Sequence, residues 1–253
     1  TAPALALDFK LGELDAKLTG TATMGTMIRM DDPSPDAYTY VNSQVVGLPA
    51  GKLVGTTGAA DMNYEKNKPV STVLKAMVDF DIHGKDFGFF ARAYGWTDTE
   101  LANGSRPYGN YANGYQAGSS LSDSGFAPEA KFSNLVLKDV YLYGSFKPAD
   151  GTEVKARLGR QTLDWGKALL LGGGINAAIT SQDLAAAFRP GALPEDGKLP
   201  TAMLSASLAA GKNWGADGFV KFENRTTVFP GCGTFFDVAS LLPPGCNLAA
   251  AFG

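Results

Sequence analysis

Long and short gaps alternate strictly along this chain, and that rhythm constrains its fold more than any motif in it. Segments of alternating apolar and polar residues occupy 14–30, 70–82, 87–98, 134–147, 153–164, 201–210 and 214–226. Short gaps fall at His83–Asp86, Pro148–Thr152 and Gly211–Asn213. Long ones fall at 31–69, 99–133 and 165–200, with a tail from 227. Seven strands joined in this way predict an antiparallel β-barrel of the outer-membrane type, with short turns at one end and long loops at the other. A compact soluble domain rarely carries three structureless connections of that length.

The faces of the segments support strands. In 14–30, Leu14, Ala16, Leu18, Gly20, Ala22, Met24, Thr26, Ile28 and Met30 alternate with Asp15, Lys17, Thr19, Thr21, Thr23 and Arg29. Period two gives one oily and one wet face. The next hairpin, with Phe80 opposite Phe89, puts Leu74, Ala76, Val78, Phe80, Ile82, Phe87, Phe89, Ala91 and Ala93 on the oily side. Lys75, Asp79, Asp81, Arg92, Tyr94 and Trp96 share the wet side, with Asp79 and Arg92 as diagonal neighbours. Pairing Phe146 with Val154 sends Val136, Val140, Leu142, Ala156 and Leu158 outward. It sends Asp139, Tyr141, Tyr143, Arg157 and Gln161 inward. The last hairpin has Leu204, Ala206, Leu208, Trp214, Ala216, Val220 and Phe222 outside. Ser205, Ser207, Asp217, Lys221, Glu223 and Arg225 lie inside. A single strand of this kind suits a soluble sandwich equally well; the repetition with long loops favours the barrel.

Composition narrows the function classes. A net charge of −3 gives no footprint for nucleic acid. No apolar run approaches the roughly 20 residues of a membrane helix, so any crossing falls to strands. The sequence starts at Thr1-Ala2-Pro3, without Met or leader, as in a mature exported chain whose signal peptide has been removed. The two cysteines, Cys232 and Cys246, share one Gly/Pro-rich stretch. In an oxidising compartment they are expected to form a disulfide worth about 3 kcal/mol.

Motifs that imitate catalytic or ligand sites fail on inspection. Gly47–Lys52 is one residue short of a phosphate loop and lacks the hydroxyl after its lysine. Asp61–Glu65 begins like a calcium loop but lacks the sixth-position glycine and the closing glutamate. Gly172–Gly174 is a flexible joint without the helix of a dinucleotide site. His83, the one histidine, falls in a tight turn; a nucleophilic site would need it beside Ser or Cys and an acid, and a turn histidine is the better reading. No catalytic residue, metal or cofactor is expected. The best helix signal is 181–188, with Ser181 as cap, Asp183 in the first turn and Pro190-Gly191 as stop. Within its long loop, this segment (Ser181, Asp183, Phe188, Arg189) either enters the mouth as a constriction or lies on the rim.

Several of these residues carry a resemblance. Leu158-Gly159-Arg160-Gln161, Trp165-Gly166, Gly174-Ile175-Asn176 and Arg189-Pro190-Gly191 resemble the domain-of-unknown-function 1302 family of exported Gram-negative proteins. So do Asn63-Tyr64, Asp139–Gly144 and Cys232–Phe236 with Cys246. The resemblance spans almost the whole chain and matches the N-terminal portion of longer family members. It implies an outer-membrane, barrel-like protein, often encoded beside a companion lipoprotein and an inner-membrane exporter. Envelope transport of hydrophobic molecules follows as the implied role.

The expected protein is therefore an all-β antiparallel transmembrane barrel, one domain over 1–253, incomplete at its C-terminus. It acts as an outer-membrane channel or conduit for small, hydrophobic or amphipathic molecules. The rival is a non-conducting structural or interaction protein of the same membrane. Its partners would be lipid, an envelope lipoprotein, an exporter, and a further chain segment or subunit completing the barrel. Seven strands with Thr1 in the periplasm would leave Gly253 at the outer surface.

Overall fold

In the computed structural model, residues 4–53, 59–165, 174–237 and 243–246 are described. Eight strands form one antiparallel sheet in sequence order, and the sheet is not closed. They are β1 (Ala4–Leu11), β2 (Leu14–Ile28), β3 (Pro69–His83), β4 (Phe87–Asp98), β5 (Ser133–Ala149), β6 (Thr152–Gln161), β7 (Thr201–Ala210) and β8 (Trp214–Lys221). The expectation of seven is corrected to eight. β1 alternates Leu5, Leu7, Phe9 and Leu11 with Ala6, Asp8 and Lys10, and Gly12, at φ +65°, turns it tightly into β2. Because β1 runs toward the short-turn end, the chain enters the sheet from the loop side, not from the side assumed for Thr1. Thr1 and Gly253 themselves lie outside the described residues, as do Gly166, Gly172 and Gly173.

The β3–β4 register differs from expectation by two residues. Ile82 opposes Phe89 and Phe80 opposes Ala91, which keeps both faces but sets Asp79 directly opposite Arg92. Gly84 closes this turn through its N–H to the Phe87 carbonyl, at 2.8 Å. Phe146 does oppose Val154, and the following turn shrinks to Asp150-Gly151. Gly151, at φ +73°, supplies the left-handed position of this turn.

A bulge changes the parity of β5. Ala91 opposes Val140 and Ala93 opposes Leu137, so Lys138 and Asp139 together face Arg92. An extra residue on one strand reverses the side on which the following residues point. Leu135 and Leu137 therefore occupy the outer face, and Val136 packs inward against Val73, Tyr94 and Trp96. The outward placement expected for Val136 is corrected accordingly.

The long connections are not structureless. They contain short helices α1 (Tyr40–Val45), α2 (Ala59–Met62), α3 (Thr99–Asn103), α4 (Gly174–Ile179) and α5 (Leu184–Ala187). Two small ladders join Ser105–Arg106 with Ser119–Ser120, and Ser181–Gln182 with Lys198–Leu199. Asp98, at the end of β4, caps α3 by accepting from the Glu100 and Leu101 N–H groups, and also accepts from Ser71 Oγ. Such side-chain acceptors satisfy the helix's orphan donors.

Two buried asparagines join the connections to one another. Asn63 Nδ2 donates to the Gly109 and Gly233 carbonyls, and its Oδ1 accepts from the Tyr108 and Gly109 N–H groups. Asn110 donates to the Ser122 and Cys232 carbonyls. Cys232 and Cys246 form the expected disulfide, with Cα atoms 5.8 Å apart, among Leu121, Phe126 and Phe132.

Candidate functional site: the inner face of the sheet

We call inner the face against which the connections pack. Near the loop end this face is covered. The connection between β6 and β7 lies across it. Lys75 on β3 forms a buried ion pair with Asp196. Lys138 reaches the Asp196 and Lys198 carbonyls and lies 3.9 Å from Asp183. The Arg189 guanidinium sits over the Trp96 ring at 3.9 Å, and its Nη2 donates to the Glu129 carbonyl. Phe188 stacks on Phe236 at 4.8 Å. On β2, Gly25 gives the connection room, since a Cβ there would come 2.9 Å from Pro190. The segment packs on the sheet's inner face near the loop end.

The cap within it is also corrected. Asp183, not Ser181, caps α5 by accepting from the Ala186 N–H at 2.8 Å. Ser181 instead donates to the Arg225 carbonyl. Burial pushes the Asp183 carboxyl up to about 6, against the opposing pull of Lys138 and Arg189.

Toward the short turns no described connection covers the inner face. Arg92 grips Asp79 through two hydrogen bonds of 2.7 and 2.6 Å. Tyr143 donates to Asp81 at 2.9 Å, and His83 Nδ1 lies 2.8 Å from the same carboxylate. Tyr143 reaches Asp81 by lying over Gly88, where a Cβ would come 2.4 Å from its ring. Phe90 stacks on Tyr141 at 5.2 Å, with Tyr143 a further 6.2 Å along. The guanidinium of Arg92 lies 5.6 Å from Phe90 and that of Arg157 lies 5.4 Å from Tyr141.

The other expected inner residues divide between these zones and the rim. Lys75, Tyr94 and Trp96 lie under the connection. Asp139 is buried at the bulge and accepts from the Thr162 N–H. Gln161 is fully buried, donating to the Met203 carbonyl and accepting from Ser205 Oγ. Asp217 and Lys221 keep inner-face register on β8. Glu223 and Arg225 fall beyond β8. Glu223 accepts from the Ala202 N–H and lies 3.5 Å from Arg160, while Arg225 pairs with Glu129.

Lys138, Asp196 and Glu129 escaped the sequence reading. For Lys138 a signal existed: the apolar parity changes between Leu135/Leu137 and Val140/Leu142, marking a bulge. Asp196 and Glu129 sit in irregular connections, where no periodicity announces a partner.

The family model described as "Protein of unknown function (DUF1302)" matches residues 1–253. The chain belongs to the DUF1302 family. No curated protein and no solved structure matches it. Three of the residues that carried the DUF1302 resemblance lie where connections meet the sheet or each other. Arg189 lies over Trp96, Asn63 ties two connections together, and Trp165 donates its backbone N–H to Asn176 Oδ1 and packs edge-on against Phe219.

Proposed function

We propose that this protein spans the bacterial outer membrane as part of a β-barrel and conducts small amphipathic molecules along its inner face. The observation that carries the reading is the contrast between adjacent rungs of the sheet. One outer rung runs through all eight strands as Phe9, Ala16, Ile82, Phe89, Leu142, Leu158, Leu204 and Val220. The inner rung beside it reads Lys10, Asp15, His83, Gly88, Tyr143, Arg157, Ser205 and Phe219. Leu5, Met24, Leu135 and Leu142 are among the exposed outer residues. Water would penalise so continuous an apolar surface, whereas lipid suits it.

The free edges of β1 and β8 need a partner in lipid, because no water is there to hydrogen-bond them. A further segment of chain or another subunit would supply it. The resemblance supports an envelope lipoprotein and an inner-membrane exporter as partners. No covalent chemistry is invoked.

The covered loop end favours the rival reading, a non-conducting structural protein, because buried ion pairs hold the connection across the inner face. Reconstitution in planar bilayers separates the two. Stepwise conductance supports the conduit. A correctly inserted but silent protein, with no uptake in vesicles, supports the structural role.

A further inference from the structure

We infer that the open part of the inner face is a binding site for aromatic carboxylates. The inference rests on the reading of this face as water-filled and names the solute class it takes. Phe90, Tyr141 and Tyr143 form a short ladder of rings across β4 and β5. A guanidinium flanks the ladder on each side, and the two differ in one respect. Arg92 is neutralised by its paired bonds to Asp79. Arg157 is exposed, and among the described residues no carboxylate lies within ion-pair distance of it. Lys155 follows on the same face of β6, exposed and 3.6 Å from Glu153.

This arrangement selects among solutes. Phe90 and the Arg157 guanidinium already lie against the Tyr141 ring. A flat ring therefore extends the ladder at its half-buried end, Tyr143, where offset and edge contacts between aromatic rings are favoured. A carboxylate on that ring would meet Arg157, whose planar fork matches it in two bonds. A sugar would need acceptors for its hydroxyls, but Asp79 is held by Arg92 and Asp81 by Tyr143 and His83. An aromatic cation would face Arg157 with no free carboxylate to compensate. These residues lie on β3 to β6, inside the sheet, so the site does not depend on what covers β1 and β8.

The test uses the intact chain folded in detergent, with benzoate, benzyl alcohol and benzylamine as probes of equal ring size. Ligand-observed NMR titration should show benzoate binding tightest and benzylamine weakest. Arg157→Gln should weaken benzoate about tenfold or more while leaving benzyl alcohol unchanged. Arg157→Lys should restore part of the loss. Equal binding of benzylamine and benzoate by the wild-type chain would overturn the inference, and so would unchanged benzoate affinity in a folded Arg157→Gln. Should that variant misfold, the wild-type ranking decides alone. Benzoate selectivity without conductance would remove the conduit reading and keep the site. Conductance without benzoate selectivity would do the reverse.

Discussion

Asp79 and Arg92 face each other across β3 and β4 and share two hydrogen bonds of 2.7 and 2.6 Å. Both side chains are about a quarter exposed. Their bond is therefore partly screened and contributes only about 1 kcal/mol to stability. Asp79→Asn should fold normally and free a second guanidinium beside the ring ladder. Under the conduit reading its reversal potential in a salt gradient should shift toward anions. An unchanged reversal potential in a conducting variant would place this pair away from the permeation path.

Lys75 and Asp196 make a different kind of pair, because both are almost fully buried. Removing one partner of a buried pair leaves an uncompensated charge and costs about 3–5 kcal/mol. Asp196→Leu alone should loosen the connection between β6 and β7 and expose it to proteolysis. Adding Lys75→Met should restore much of the protection. Limited proteolysis of the two variants checks this. Equal cleavage of wild type and Asp196→Leu would show that the ion pair does not hold the connection.

Asp183 gives the connection a pH dependence. Its carboxyl titrates at about 6 in the folded chain, above its ordinary 3.8. The folded state then binds the proton more tightly, so stability is greatest below the unfolded value and is lost as pH rises through about 6. The loss should amount to roughly 2 kcal/mol between pH 4 and 7. Asp183→Asn keeps a capping oxygen for Ala186 and should flatten this part of the profile. Denaturant midpoints measured at pH 4, 5, 6 and 7 for both forms test the sign and the source.

The sheet was legible because periodicity survives wherever a strand has one oily face. The Phe146–Val154 pairing and the faces of β4 both follow from it. β1 carries the same alternation but is short and follows a sequence start, where no preceding gap sets the rhythm. The β3–β4 register slipped by two because such a slip preserves both faces, leaving only the turn at Gly84 to decide it. Val136 went to the wrong side because a bulge reverses parity locally. The covered end of the inner face was not legible at all. Lys75 reads as a wet-face lysine until the loop that brings Asp196 is in place, and loop contacts obey no period.

The disulfide has a local energetic role. Cys232 and Cys246 are 14 residues apart and pack with Phe126 and Phe132. Opening a loop of that length should cost about 3 kcal/mol. Reduction should therefore loosen the segment around Gly231–Asp237, and with it the Asn63 bond to the Gly233 carbonyl. Hydrogen exchange at Tyr108 and Gly109, whose N–H groups also bond Asn63, should rise with it. Exchange confined to 232–246 would show that the asparagine link holds without the disulfide.

The outer face decides where the protein resides. Val78 lies on that face between Gly20 on β2 and Ala93 on β4. One residue along, Asp79 faces inward opposite Thr19. Under the membrane reading, an arginine at Val78 would project into lipid, at a cost of about 2–4 kcal/mol near the bilayer midplane, within an apolar band about 25 Å tall. An arginine at Thr19 would instead project inward beside Asp79, where water and a carboxylate both receive it. Val78→Arg should therefore impair insertion into vesicles, and Thr19→Arg should insert as the wild type does. In a detergent-free aqueous buffer the order should reverse, because Val78→Arg makes the exposed outer face more soluble. If Val78→Arg inserts as well as Thr19→Arg, the apolar rungs are covered by protein and not by lipid. The same sheet would then belong to an assembly in which this face is an interface.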